Sequence, residues 1–179
     1  MTSTFIPSRS LAGEDGNISS FVAETLVQSF QFFNEHLFDG ELPDTYITIA
    51  DINVGRSRRS HIAGFFKREE VKSEGSFKNT ITLDSEYTGA CVEQNDLRRL
   101  MSTLVHEMTH EWDWINNPEK QVKRGHGRTW RTKMSELGLE PVCRGNRWYT
   151  AGVSHEVVEH GIFSRVFDSF PQEIQDNYP

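Results

Sequence analysis

Residues 106–110 read HEMTH, two histidines four residues apart with a glutamate after the first, and a third histidine follows in GHGRTW at 125–130. On an α-helix, positions 106 and 110 lie about 40° apart around the axis and about 6 Å apart along it, so two imidazoles can close on one metal ion through bonds of roughly 2.1 Å. Glu107 projects about 100° round from His106, where a carboxylate sits beside such a metal without binding it. The pattern suits a hydrolase: the metal acidifies a water and polarises a carbonyl, while Glu107 takes the proton and returns it to the leaving amine.

The third ligand sorts the subclass. A metzincin would carry Gly at 113 and His at 116, and the chain has Asp113 and Asn116. Glu119 and Glu136 are less well framed as ligands than His126, which follows a helix break and is flanked by Gly125 and Gly127; Glu136 stays as the alternative. The expectation is one zinc ion per chain, held by His106, His110 and His126.

These residues need a helix and a frame around it. Residues 94–115 place Leu97, Leu100, Met101, Leu104, Val105 and Met108 in one apolar stripe, with His106 and His110 roughly opposite, facing a cleft. HGRTWRTKMSELG reads as a shorter helix that Gly138 terminates. Upstream, Phe21, Leu26, Phe30, Phe33 and Leu37 predict one long amphipathic helix over 18–38 with Asn17 as N-cap, stopped by DGELP. Strands are expected at 45–50, 61–66 and 78–84, and no two-residue hairpin signal fixes their order. From Val142 onward the mixture of Val, Trp, Tyr, Phe and Gly suits a β-hairpin or an irregular wrap.

The expected architecture is α+β: a loose tail over 1–16, a core over 17–141, and a C-terminal β extension over 142–179 packed on that core. At 179 residues with 36% hydrophobic and 25% charged content, one domain can bury a core without a disulfide or structural metal. Cys91 and Cys143 form no CxxC pair and are expected as free thiols, so zinc must be held by histidine and carboxylate. No secretory signal and no membrane span is legible, and the expectation is a cytoplasmic protein, monomeric, with no membrane partner.

The net charge of −7 argues against indiscriminate nucleic-acid binding, but the cations are clustered. Residues 56–68 and 120–133 hold 11 of the 19 Lys and Arg and no acid. Arg56, Arg58 and Arg59 from one block, with Lys123, Arg124, Arg128 and Arg131 from the other, are expected to form a polyanion-binding surface beside the metal cleft, with single-stranded DNA as the candidate ligand and pairing with the chain's own surplus carboxylates as the alternative.

TLVHEMTH at 103–110, the NN at 116–117 and GHGRTWRTKMSELGL at 125–139 resemble the SprT-like metallopeptidases, the group that includes Spartan, which acts on proteins crosslinked to DNA. The resemblance extends over about 18–141. It implies His106, His110 and His126 as zinc ligands, Glu107 as catalytic acid/base, and a minimal zincin fold of a helix, a small sheet, the active helix and one helix more. The cysteine zinc ribbon that longer bacterial members carry after this core is not recognisable.

HEVVEH at 155–160 lacks the HxxEH order of an inverted zinc motif and reads as paired strand residues. His155 or Tyr149 could still reach the first site and steady an oxyanion if the extension folds over the cleft. Trp112, Trp114 and Trp130 suit packing around the site, or a stacking platform. The function that unites these features is zinc-dependent endopeptidase action on protein substrates. Its rivals are a nucleic-acid-associated module with little turnover and a metal-dependent hydrolase of a non-protein substrate.

Overall fold

The computed structural model describes residues 16–55, 61–73, 76–118, 125–143 and 153–176. Its first helix, α1 (Gly16–Leu37), buries Val22, Leu26, Phe30, Phe33 and Leu37 at helical spacing. It begins a residue before Asn17, which therefore lies inside the helix instead of capping it.

Three strands follow, β1 (Tyr46–Ala50), β2 (Gly64–Ser73) and β3 (Ser76–Asp84), in the order β1-β3-β2. β1 runs parallel to β3, with Ile47 opposite Ile81 and Ile49 opposite Leu83, all four buried. β2 is antiparallel to β3 and the outer strand on that side. It starts three residues later than the apolar run HIAGFF suggests and continues through KREEVKS, because the long β3 offers its charged half a backbone partner. A register shift between Lys67 and Val71 interrupts the ladder, and Glu69 within it has φ 47°, the left-handed geometry of a bulge.

Helix α2 (Ser85–Glu93) is an element that the apolar pattern misses, since SEYTGACVE has a weak stripe and an internal glycine. Its start is nevertheless marked: Asp84 caps it by accepting from the Tyr87 amide at 3.0 Å. The central helix α3 (Leu97–Asn116) begins after Asp96, whose carboxylate accepts from the Arg99 amide at 3.1 Å. α4 (Arg128–Leu137) ends at Gly138, whose φ of +77° is the left-handed stop expected of a glycine there.

Beyond Gly138, β4 (Leu139–Val142) pairs antiparallel with β5 (Ser154–Val157), so the first of these strands begins ahead of Val142, where the extension was expected to start. Two short helices then appear that were not expected, α5 (Ile162–Asp168) and α6 (Gln172–Asp176). Their signal is a run of phenylalanines that only a partner makes sense of. Phe163 and Phe170 pack on Phe33 of α1, the latter stacked at 5.4 Å between ring centroids, so the C-terminal segment closes the core over the first helix. Cys91 and Cys143 are free thiols, and no helix among the described residues is long and apolar enough to cross a membrane.

Candidate metal centre

α3 is buried along most of its length, and this differs from an apolar stripe with an open polar face. Met101 through Thr109 are all buried, and even His106 and Glu107 are only 7% and 4% exposed. The two histidines do face a cleft, as their helical phase requires, but they form its floor, because β2 lies along one side of α3 and α4 packs on another.

The turn that leads into α4 supplies the third histidine. His126 lies two residues before α4, after the turn at Gly125, and the turn passes so near the His110 ring that a Cβ on Gly125 would meet its Cε1 at 3.1 Å. His110 Nε2 is 3.2 Å from His126 Nε2, and His126 Nε2 is 3.4 Å from His106 Nε2. Ligand atoms of a tetrahedral site with bonds of about 2.0–2.1 Å stand roughly 3.3–3.4 Å apart, so this spacing fits a metal between the three nitrogens. One ligand atom from each histidine of the trio lies within 4.8 Å of the other two, and among the described residues this is the cluster of that kind. Glu136 is exposed on α4 and lies outside the cluster; Glu119 falls outside the described residues.

The electrostatics agree with the donor set. Burial, with lesser contributions from the neighbouring imidazoles, holds His106 and His110 well below the ordinary histidine pKa, so both rings are neutral and present lone pairs. Three imidazole nitrogens facing one point can hold a metal ion and leave a fourth tetrahedral position free. Glu107 Oε1 stands 4.0 Å from His106 Nε2, beside the trio. Burial pushes the Glu107 carboxyl up to about 8, against the opposing effect of a backbone hydrogen bond from Phe66 on β2.

Trp130 backs the trio from the core, and His155 lines the cleft beside it. Trp130, fully buried on α4, stacks on His110 and meets His106 and His126 edge-on at 4.8 and 4.6 Å between centroids. It is packing around the site, one of the two roles its position allowed. Trp112 and Trp114 are half-buried, carrying Lys133 and Arg68 over their rings. His155 on β5 reaches the site through His106, with 3.1 Å between the two Nδ1 atoms. His160, at the other end of HEVVEH, sits exposed in a turn with φ 61°. Tyr149 lies outside the described residues, as do Arg56, Arg58, Arg59, Lys123 and Arg124. Of the seven cations expected in a polyanion surface, Arg128 is exposed on the cleft rim and Arg131 is half-buried with its Nε on the Gly127 carbonyl.

Glu111 is a feature that the motif concealed. Its Oε1 accepts from Thr45 Oγ1 and from Asn79 Nδ2, both at 2.6 Å, which ties α3 to the sheet. The side chain is fully buried, its Oε2 has no hydrogen-bond partner among the described residues, and burial lifts the carboxyl to about 7. The signal was available: position 111 lies seven residues from Leu104, inside the apolar stripe, where a carboxylate is out of place.

Fold and site together define an α+β protein whose central helix carries most of a three-histidine cluster with metal-binding geometry. The SprT-like family profile matches residues 26–147, about two thirds of the sequence, and the chain belongs to that family. Membership suggests a metallopeptidase-like domain. No curated protein and no solved structure matches the chain.

Proposed function

We propose that the chain is a zinc-dependent endopeptidase that hydrolyses peptide bonds in protein substrates. The observation that carries this reading is the placement of one buried carboxyl, Glu107, 4.0 Å from a ligand nitrogen in a trio of mutually facing imidazoles. Zinc, held by His106, His110 and His126, would supply Lewis acidity toward the scissile carbonyl and lower the pKa of water. Glu107 supplies the proton traffic. Its raised pKa leaves it protonated at neutral pH when no cation is near, and a positive charge at the trio pulls it back toward the ionised, proton-accepting form. It then delivers that proton to the departing amine.

The cleft supports a polymeric substrate. Its volume of about 1810 Å³ exceeds the range of roughly 300–1,000 Å³ common for small-molecule pockets. β2, the outer strand, lines it through Gly64–Arg68, so an extended peptide can lie along that strand with its carbonyl over the trio. Lys67, Arg68, Arg99 and Arg128 line the same cleft and favour acidic or DNA-associated proteins, and with them contact with single-stranded DNA.

Protein loaded with one equivalent of zinc, incubated with an unfolded protein with and without single-stranded DNA, tests the proposal. Internal cleavage found by mass spectrometry, lost on chelation and restored by zinc, is the expected result. Zinc-loaded protein that binds DNA with a salt-dependent affinity and cleaves nothing would instead favour the nucleic-acid-associated module.

A further inference from the structure

His155 touches neither the facing Nε2 atoms of the trio nor Glu107. It meets the back of the first ligand, His106 Nδ1, at 3.1 Å. If His106 gives its Nε2 lone pair to a metal, the remaining proton of its neutral ring must sit on Nδ1. A proton there points at His155 Nδ1, which can accept it only if His155 carries its own proton on Nε2. The contact therefore selects one tautomer of each ring.

We propose that His155 is a positioning residue for the metal site, accepting a hydrogen bond from His106 Nδ1–H and so fixing the tautomer and orientation in which His106 Nε2 faces the metal. The inference rests on the reading of the trio as a metal site. It adds a residue from outside the stretch that the family profile matches, which ends at residue 147.

The fold delivers His155 by a short route. α4 follows His126 directly, Gly138 turns the chain out of α4 into β4, and β4 pairs with β5 so that Pro141 lies opposite His155. Along β5, Ser154 and Glu156 are exposed while His155 and Val157 are half-buried, the alternation of a strand with one face on the core. The segment that carries the third ligand thus also returns the partner of the first. Metal-bound histidines commonly hand their second N–H to an acceptor, and losing that acceptor costs metal affinity. The acceptor here is a neutral imidazole, which orients His106 without adding a negative charge beside Glu107.

The test compares zinc affinity, measured by competition with a chelator, in wild type, His155→Phe and His155→Asn. Phe keeps bulk and removes the acceptor; Asn returns an acceptor oxygen near the place of Nδ1. The expected result is about 10- to 100-fold weaker zinc binding in His155→Phe and recovery to within about threefold of wild type in His155→Asn. Zinc affinity in folded His155→Phe equal to wild type overturns the inference, as does an Asn variant no better than Phe. A second readout needs no variant. Nitrogen-15 NMR of the histidine rings in the zinc-loaded wild type should show His106 protonated at Nδ1 and His155 at Nε2, and a His155 proton on Nδ1 overturns the proposal. A wild type that takes up no zinc defeats the metal reading itself. One that loses zinc in His126→Ala while His155→Phe retains full affinity defeats this inference alone.

Discussion

The imidazole of His110 lies face to face with the indole of Trp130, ring centroids 4.9 Å apart and planes inclined by 16°. Because the same indole touches the rings of His106 and His126, a single core side chain limits the rotamers of all three. Trp130→Ala should destabilise the fold by about 3–5 kcal/mol and weaken zinc binding, while Trp130→Phe, which keeps an aromatic face, should retain more of both. Denaturant unfolding and metal titration of the two variants measure this. Equal zinc affinity in Trp130→Ala and wild type would remove Trp130 from the support of the site.

In the proposed site, replacing His126 by Ala leaves two protein ligands, both on α3. Its zinc content after dialysis, read by elemental analysis, should fall from about one per chain to near zero. A fully loaded variant means that another group closes the site.

Glu107→Gln should keep its zinc and lose turnover by about 10²- to 10⁴-fold, since an amide preserves shape but cannot accept a proton. Metal content and peptide cleavage measured on the same sample separate the two effects. Wild-type turnover in the zinc-replete variant contradicts the assigned role.

Glu111 gives the metal-free protein a pH dependence of definite sign. Its folded pKa, about 7, lies above the ordinary carboxyl value, so the folded state holds a proton that the unfolded chain has released. That contribution is fully present below the unfolded pKa and is lost as pH rises through about 7. Glu111→Gln retains an acceptor for Thr45 and Asn79 and does not ionise. Between about pH 5 and 8 the melting temperature of wild type should therefore fall by roughly 5 °C relative to the variant. Parallel melting curves across that range would remove Glu111 as the titrating group.

Gly138 joins α4 to the segment that carries His155. A Cβ on it would stand 2.8 Å from the Gly161 Cα, backbone that cannot swing aside, at a φ that disfavours side chains. Gly138→Ala should cost about 2–4 kcal/mol in denaturant unfolding. A loss below about 1 kcal/mol would mean that the α4–β4 turn and the neighbouring Gly161 relax freely.

The sequence by itself determined what depends on spacing along one element. HEMTH on a periodic apolar stripe set two imidazoles and a carboxylate on neighbouring faces of α3, and His126 stood out because a helix break and two glycines frame it. α1, α4 with its Gly138 stop, and the apolar runs of β1 and β3 were legible for the same reason: helical and strand periods are local, and burial writes them into the pattern. The tertiary structure decided what depends on a partner distant in the chain. β2 extends through charged residues because β3 pairs with it; α2 is marked by a cap instead of a stripe; α5 makes sense only with Phe33 against it. His155 shows the limit most clearly. Its approach to His106, 49 residues away, is set by the register of β4 on β5, where a slip of one residue would turn it to the opposite face. Burial of Glu107 and Glu111, and hence the chemistry of their carboxyls, likewise came from elements packed around α3, a property that local spacing does not encode.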